Sequence, residues 1–148
     1  MTESERAIKA LLFRYAKLQD TGDFDGVGEL FAHGIFRRGD GVEMTGAELT
    51  AHRNRANVSH GGSPGTKHLT TNITIDVDEA AGTATSHAYY TVLLGTADMA
   101  PQVIASGRYD DTFDRVDGQW RFRYRDSHLD MRGEAFDSHR REDPAERR

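Results

Sequence analysis

The chain has 148 residues, the size of one domain built on one core, and its 36% hydrophobic and 29% charged residues suit a folded body with a polar surface. A net charge of −5 with mixed signs argues against a nucleic-acid binder, and a mean hydropathy of −0.69 goes with the absence of any run able to span a membrane. With no cysteine there is no disulfide, zinc ribbon or thiol nucleophile, and the polar N-terminus lacks a secretory apolar run, so a soluble cytoplasmic protein is expected.

In chain order, Thr2 followed by Glu5 reads as a capping box, and Ile8, Leu11, Leu12, Tyr15 and Leu18 then recur at helical spacing up to a stop at Thr21-Gly22. Asp23 caps a short second helix that carries Phe24, Val27, Leu30 and Phe31 inward. Short strands are expected over 34–38 and 41–44, and Thr45 with Glu48 opens a third helix over 47–56. The run His60-Gly61-Gly62-Ser63-Pro64-Gly65 is a loop.

From Thr66 the period changes to two, with Leu69, Thr71, Ile73, Ile75 and Val77 alternating against His68, Thr70, Asn72, Thr74 and Asp76. Three more long strands follow, over about 83–94, 102–116 and 119–129, the last two joined by Asp117-Gly118, a tight-hairpin signal. The charged tail over 138–148 is expected to fray, which leaves 1–137 as the domain. Helices first and a long meander second indicate α+β: a curved, mostly antiparallel sheet packed on about three N-terminal helices and enclosing a pocket.

Several segments resemble the SnoaL-like, or nuclear transport factor 2-like, superfamily. Leu12-Phe13-Arg14-Tyr15-Ala16-Lys17-Leu18-Gln19-Asp20-Thr21-Gly22-Asp23-Phe24-Asp25 is similar to its first helix, and Thr66-Lys67-His68-Leu69-Thr70-Thr71-Asn72 to its first long strand. Gly107-Arg108-Tyr109-Asp110-Asp111-Thr112-Phe113 with Asp117-Gly118-Gln119-Trp120-Arg121-Phe122 resembles its final hairpin. The resemblance implies a cone-shaped fold around one pocket. It is nearest in motif to the branch of scytalone dehydratase, the bile-acid 7α-dehydratases and the hexachlorocyclohexane dehydrochlorinase. In that branch a histidine at the position of His68 removes a proton, and an aspartate at that of Asp20 holds its ring. Tyr15 matches a pocket tyrosine, and Arg125 an arginine that helps a leaving group depart. The dehydratases add a histidine or acid on the next strand, where this chain has Thr91-Val92-Leu93, and the dehydrochlorinase has a lysine near Tyr15.

An Asp–His pair makes a base for a physical reason. Imidazole titrates near neutrality, and a carboxylate fixes its tautomer and stabilises the imidazolium. Regular alternation places His68 opposite Ile73, Ile75 and Val77, which is compatible with a polar pocket behind an apolar outer face or with an apolar core and a solvated histidine. By the same parity Arg125 joins Arg121 and Arg123, and a solvated arginine stripe stays open beside a pocket role.

The expected function is a cofactor-independent lyase or isomerase acting on a small apolar, cyclic or polycyclic substrate. His68, Asp20, Tyr15 and Arg125 are its catalytic candidates, and Phe24, Phe36, Asn72, Thr91 and Trp120 are candidates for contact with substrate. No organic cofactor, metal site, nucleic-acid partner or membrane partner is expected. A homodimer or homotrimer packed through Ile73, Ile75 and Val77 is. A non-catalytic ligand-binding module and a structural subunit like the small subunit of ring-hydroxylating dioxygenases remain the alternatives.

Overall fold

The Thr2 hydroxyl accepts the Glu5 amide and the Glu5 carboxylate accepts the Thr2 amide, the reciprocal cap that opens α1 (Glu3–Thr21). Gly22, at φ +75°, closes it in the left-handed conformation glycine tolerates. Asp23 caps α2 (Phe24–Leu30) and Thr45 caps α3 (Gly46–Ala56), as their spacing implies. α2 and α3 meet backbone to backbone at Gly28 and Gly46. A Cβ on Gly46 would stand 2.2 Å from the Gly28 carbonyl oxygen, so only glycines allow the approach that seats α3. The computed structural model describes residues 1–57 and 59–139.

Six strands form one open, mixed sheet in the order β2-β1-β6-β5-β4-β3. β1 (Ile35–Arg37) runs parallel to β6 (Gln119–Arg132), while β2 (Glu43–Met44), β3 (Thr66–Asp78), β4 (Thr83–Thr96) and β5 (Met99–Val116) add antiparallel pairings. Asp117 and Gly118 both take positive φ, 52° and 76°, the signature of the tight turn expected between β5 and β6. This is the α+β arrangement expected, in the cone-like form. Among the described residues no helix is long and apolar enough to cross a membrane.

Core residues from the helices and from one sheet face interlock as an aromatic cluster. The ring of Phe31 stacks on Phe122 at 4.8 Å, Phe122 lies 4.9 Å from Phe113, and Phe36 meets Phe31 edge-on at 5.6 Å. Each such pair adds about 0.5–1.5 kcal/mol beyond the area it buries.

Two irregularities overturn the alternation read from the sequence. In β3 the pairing shifts between Thr71 and Thr74, where Asn72 adopts φ +54°, an αL value that asparagine tolerates better than most side chains. The extra residue reverses parity, so His68 and Ile73, Ile75 and Val77 face the same inner side, and the three aliphatic residues pack on the core. They do not form the outer face assigned to them. In β6 the pairing shifts between Phe113↔Phe122 and Thr112↔Tyr124, which leaves Arg123 unpaired and turns Arg125 inward, away from any solvated stripe.

The C-terminal expectation also changes. A short α4 (Phe136–His139) crosses the expected boundary after residue 137, and its His139 is buried. Residues 140–148, most of the expected tail, lie outside the described residues.

Candidate functional site

Between the helices and the inner face of the sheet lies a cavity of about 980 Å³. α1 contributes Tyr15 and Gln19, β1 Phe36, α3 Arg53, β3 His68, and β4 and β5 Tyr90 and Tyr109. Val92, Ile104 and Leu129 make part of the wall apolar. Gly107 matters to its shape, because a Cβ there would stand 2.7 Å from the Tyr90 hydroxyl.

α1 packs along β3, which brings the last turn of the helix to the start of the strand. The Asp20 carboxylate there engages β3 at three points. Its Oδ1 lies 2.6 Å from His68 Nδ1 and accepts the Thr66 hydroxyl at 2.9 Å, and its Oδ2 accepts the His68 backbone N–H at 2.8 Å. A carboxylate against Nδ1 favours the tautomer with the proton on that nitrogen. Nε2 then carries the lone pair, and no protein group bonds it among the described residues. An aspartate in the last turn opposes the helix dipole, and that turn holds no basic residue to compensate.

Tyr15 is buried in the cavity wall and accepts Arg53 Nη2 at 3.3 Å, leaving its own hydroxyl proton free to point into the cavity. Tyr90 stacks on Tyr109 at 4.5 Å. Burial, with the neighbouring Tyr15 phenol second, pushes the Tyr90 hydroxyl up to about 12, and burial raises Tyr109 well above the ordinary phenol. Both are therefore neutral hydrogen-bonding groups at physiological pH.

Arg125 stands elsewhere than expected. It is fully buried, holds Asp111 through Nε and Nη2 at 2.8 Å each, and lies 4.4 Å and 3.8 Å from the ring centroids of Tyr15 and Tyr109. Burial works against its charge, and the Asp111 carboxylate more than offsets that, so the guanidinium titrates above its ordinary value. It supports the two tyrosines that line the cavity and does not itself line it.

Of the expected contact residues only Phe36 lines the cavity. Phe24 packs on the core from α2, and its carbonyl accepts the Thr50 hydroxyl at 2.9 Å. Asn72 is exposed at the β3 bulge. Thr91 lies on the outer face beside Ser106, 3.4 Å away, because His68 pairs across the sheet with Val92. Trp120 packs under Arg115 at the hairpin end, 5.1 Å from ring to guanidinium.

Sequence reading missed Arg53, Gln19, Tyr90 and Tyr109. The signal for Arg53 was present: Leu49, His52, Arg53 and Ala56 share the inward face of α3, where a buried basic pair is unusual. Among the described residues no cluster of histidine and acid side chains is arranged to hold a metal.

The SnoaL-like domain model matches residues 1–126 of the chain. A Mycobacterium tuberculosis protein of unknown function is similar at 30% identity and TM-score 0.71, covering 86% of this chain and 76% of that one. A candidate scytalone dehydratase from Novosphingobium aromaticivorans is similar at 22% identity and TM-score 0.67, covering 86% and 85%. The β subunit of a candidate aromatic-ring-hydroxylating dioxygenase from the same organism is similar at 19% identity and TM-score 0.69, covering 90% and 93%. No curated protein sequence matches the chain.

Proposed function

We propose that this chain, which belongs to the SnoaL-like domain family, is a cofactor-independent lyase or isomerase that removes a proton from carbon in a cyclic substrate. The family includes scytalone dehydratase-like enzymes and ring-hydroxylase subunits, so membership alone does not select an activity. The observation that carries the reading is the 2.6 Å contact between His68 Nδ1 and Asp20, in a histidine that lines the cavity and whose Nε2 is unclaimed among the described residues.

In this reading Nε2 of His68 takes the proton, and the C–H electron pair moves toward an adjacent carbonyl or expels a leaving group. Asp20 orients the ring and stabilises the imidazolium formed. The Tyr15 hydroxyl hydrogen-bonds the oxygen that gains charge. In an isomerisation the imidazolium returns the proton at another carbon. In an elimination a leaving hydroxyl must also be protonated. Tyr15 is one hydroxyl donor of the wall beside Tyr90 and Tyr109, and its phenolate regains a proton through solvent as the His68 imidazolium gives one up. Arg125 contributes by fixing the rings of Tyr15 and Tyr109, not by touching the leaving group.

A non-catalytic binding module with the same cavity is the second reading, favoured by Val92 facing inward opposite His68, where the dehydratases place a second acid or histidine. Ligands found by thermal shift supply the substrate for the test, since a ligand that binds only the folded state raises its apparent stability. His68→Gln should then lower kcat by about 10²–10⁴-fold with KM little changed. Turnover that survives the substitution would move the chemistry to other residues.

A further inference from the structure

Among the described residues Arg53 is a buried cation without an anion. Its side chain is on the inward face of α3, the residue is 7% exposed, and it lines the cavity. Nη2 donates to the Tyr15 hydroxyl at 3.3 Å, and the guanidinium lies 5.3 Å from the centroid of Phe36. Neither contact is a negative charge, and among the described residues the buried Nε–H has no partner.

The other arginines of the cavity are treated differently. Arg38 pairs with Asp40 and also contacts the His52 ring, and Arg132 pairs with Asp137. Beneath the floor Arg125 has Asp111 across its Nε and Nη2 edge. On the same edge of Arg53, Nε is buried without a partner among the described residues and Nη2 meets only the neutral Tyr15 hydroxyl. Removing an ion from water is unfavourable even after relaxation, and a chain of net charge −5 has carboxylates to spare for the purpose. A guanidinium that lines a cavity with no carboxylate on its planar fork is the group best suited to grip a ligand's carboxylate.

We propose that Arg53 anchors an anionic oxygen of the ligand, and that the cavity takes an amphipathic organic acid. The ligand is a cyclic or polycyclic body, packed against Phe36, Tyr90, Tyr109 and Ile104, that carries a carboxylate or an equally planar oxyanion. This refines the apolar substrate expected from sequence. It rests on the cavity being the ligand site and does not depend on His68 acting as a base.

The test is calorimetric titration at pH 7 with benzoate, 2-naphthoate and cholate, each against its primary amide. The native protein should bind at least one acid about 10–100-fold more tightly than the matching amide. Arg53→Met should abolish that preference by weakening the acid while leaving the amide nearly unchanged, and Arg53→Lys should retain part of it. Arg53→Met should melt no lower than the native protein, because it removes an uncompensated buried charge. If that variant fails to fold, the native acid–amide comparison and Arg53→Lys decide the matter. A native protein that binds none of the acids more tightly than its amide overturns the proposal, as does a preference that survives loss of the guanidinium. Because no turnover is read, failure here leaves the general-base reading standing, and the reverse also holds.

Discussion

The Asp20 carboxylate holds His68 by ring and by backbone, 2.6 Å from Nδ1 and 2.8 Å from the amide nitrogen. One carboxylate thus locates both the strand and the imidazole it carries, and ties the end of α1 to the start of β3. A surface histidine needs neither contact. A base that must keep one tautomer and one orientation needs both.

The bulge at Asn72 is what turns His68 inward, and its backbone sits at φ +54°. Asn72→Gly should leave stability within about 0.5 kcal/mol or raise it, while Asn72→Val should cost about 1–2 kcal/mol through αL strain. Urea unfolding of the two variants reads the difference, and equal stabilities would mean that the bulge does not depend on this residue.

Arg125 and Asp111 are both fully desolvated. Arg125→Met leaves the Asp111 carboxylate buried without its partner and should destabilise by about 3–5 kcal/mol, and adding Asp111→Leu should recover much of that. Chemical denaturation of the single and double variants checks it. An Arg125→Met protein as stable as the native one would contradict a supporting role beneath the tyrosines.

Alkaline stability follows from Tyr90. Its phenol is raised from 10.0 to about 12 by burial, so the unfolded chain loses this proton first as pH rises. Stability present below pH 10 should fall between about pH 10 and 12, by up to about 3 kcal/mol from this residue, and Tyr109 adds in the same direction. Urea midpoints at pH 9 and 11 should drop less in Tyr90→Phe than in the native protein. Identical drops would mean that the phenol is not desolvated.

Assembly is expected through a different set of residues from the one first read. On the outer face Leu69, Tyr89, Val103 and Met131 are 42–66% exposed on neighbouring strands, and Leu93 pairs with Val103 beside them. Such a patch on a curved sheet suits a symmetric homodimer, or a homotrimer, of this chain. Light scattering at micromolar concentration should give an oligomer that Val103→Glu converts to monomer. A native monomer would contradict it.

Local chemistry made the helices legible. The caps at Thr2, Asp23 and Thr45 and the Asp117-Gly118 turn each depend on residues adjacent in sequence, and all stand where their spacing implies. His68 and Asp20 came from family resemblance, since 48 positions separate them and no local rule joins them. Parity was misread because a single inserted residue, Asn72 or Arg123, reverses a whole strand and leaves no trace in an alternating pattern. Arg53 was hidden for another reason. A basic residue on a helix reads as solvated unless the apolar stripe around it is followed turn by turn.

The central claim is that His68 removes a proton from carbon, and deuterium uptake measures that step without knowledge of the natural leaving group. Cyclic ketones such as 1-tetralone and 1-indanone in D₂O, followed by proton NMR, report exchange at the carbon beside the carbonyl. The native protein should accelerate exchange of at least one such ketone, and His68→Gln should reduce the acceleration by about 10²–10⁴-fold while Asp20→Asn reduces it less. Acceleration unchanged in His68→Gln, or no acceleration of any of these ketones by the native protein, would contradict the account.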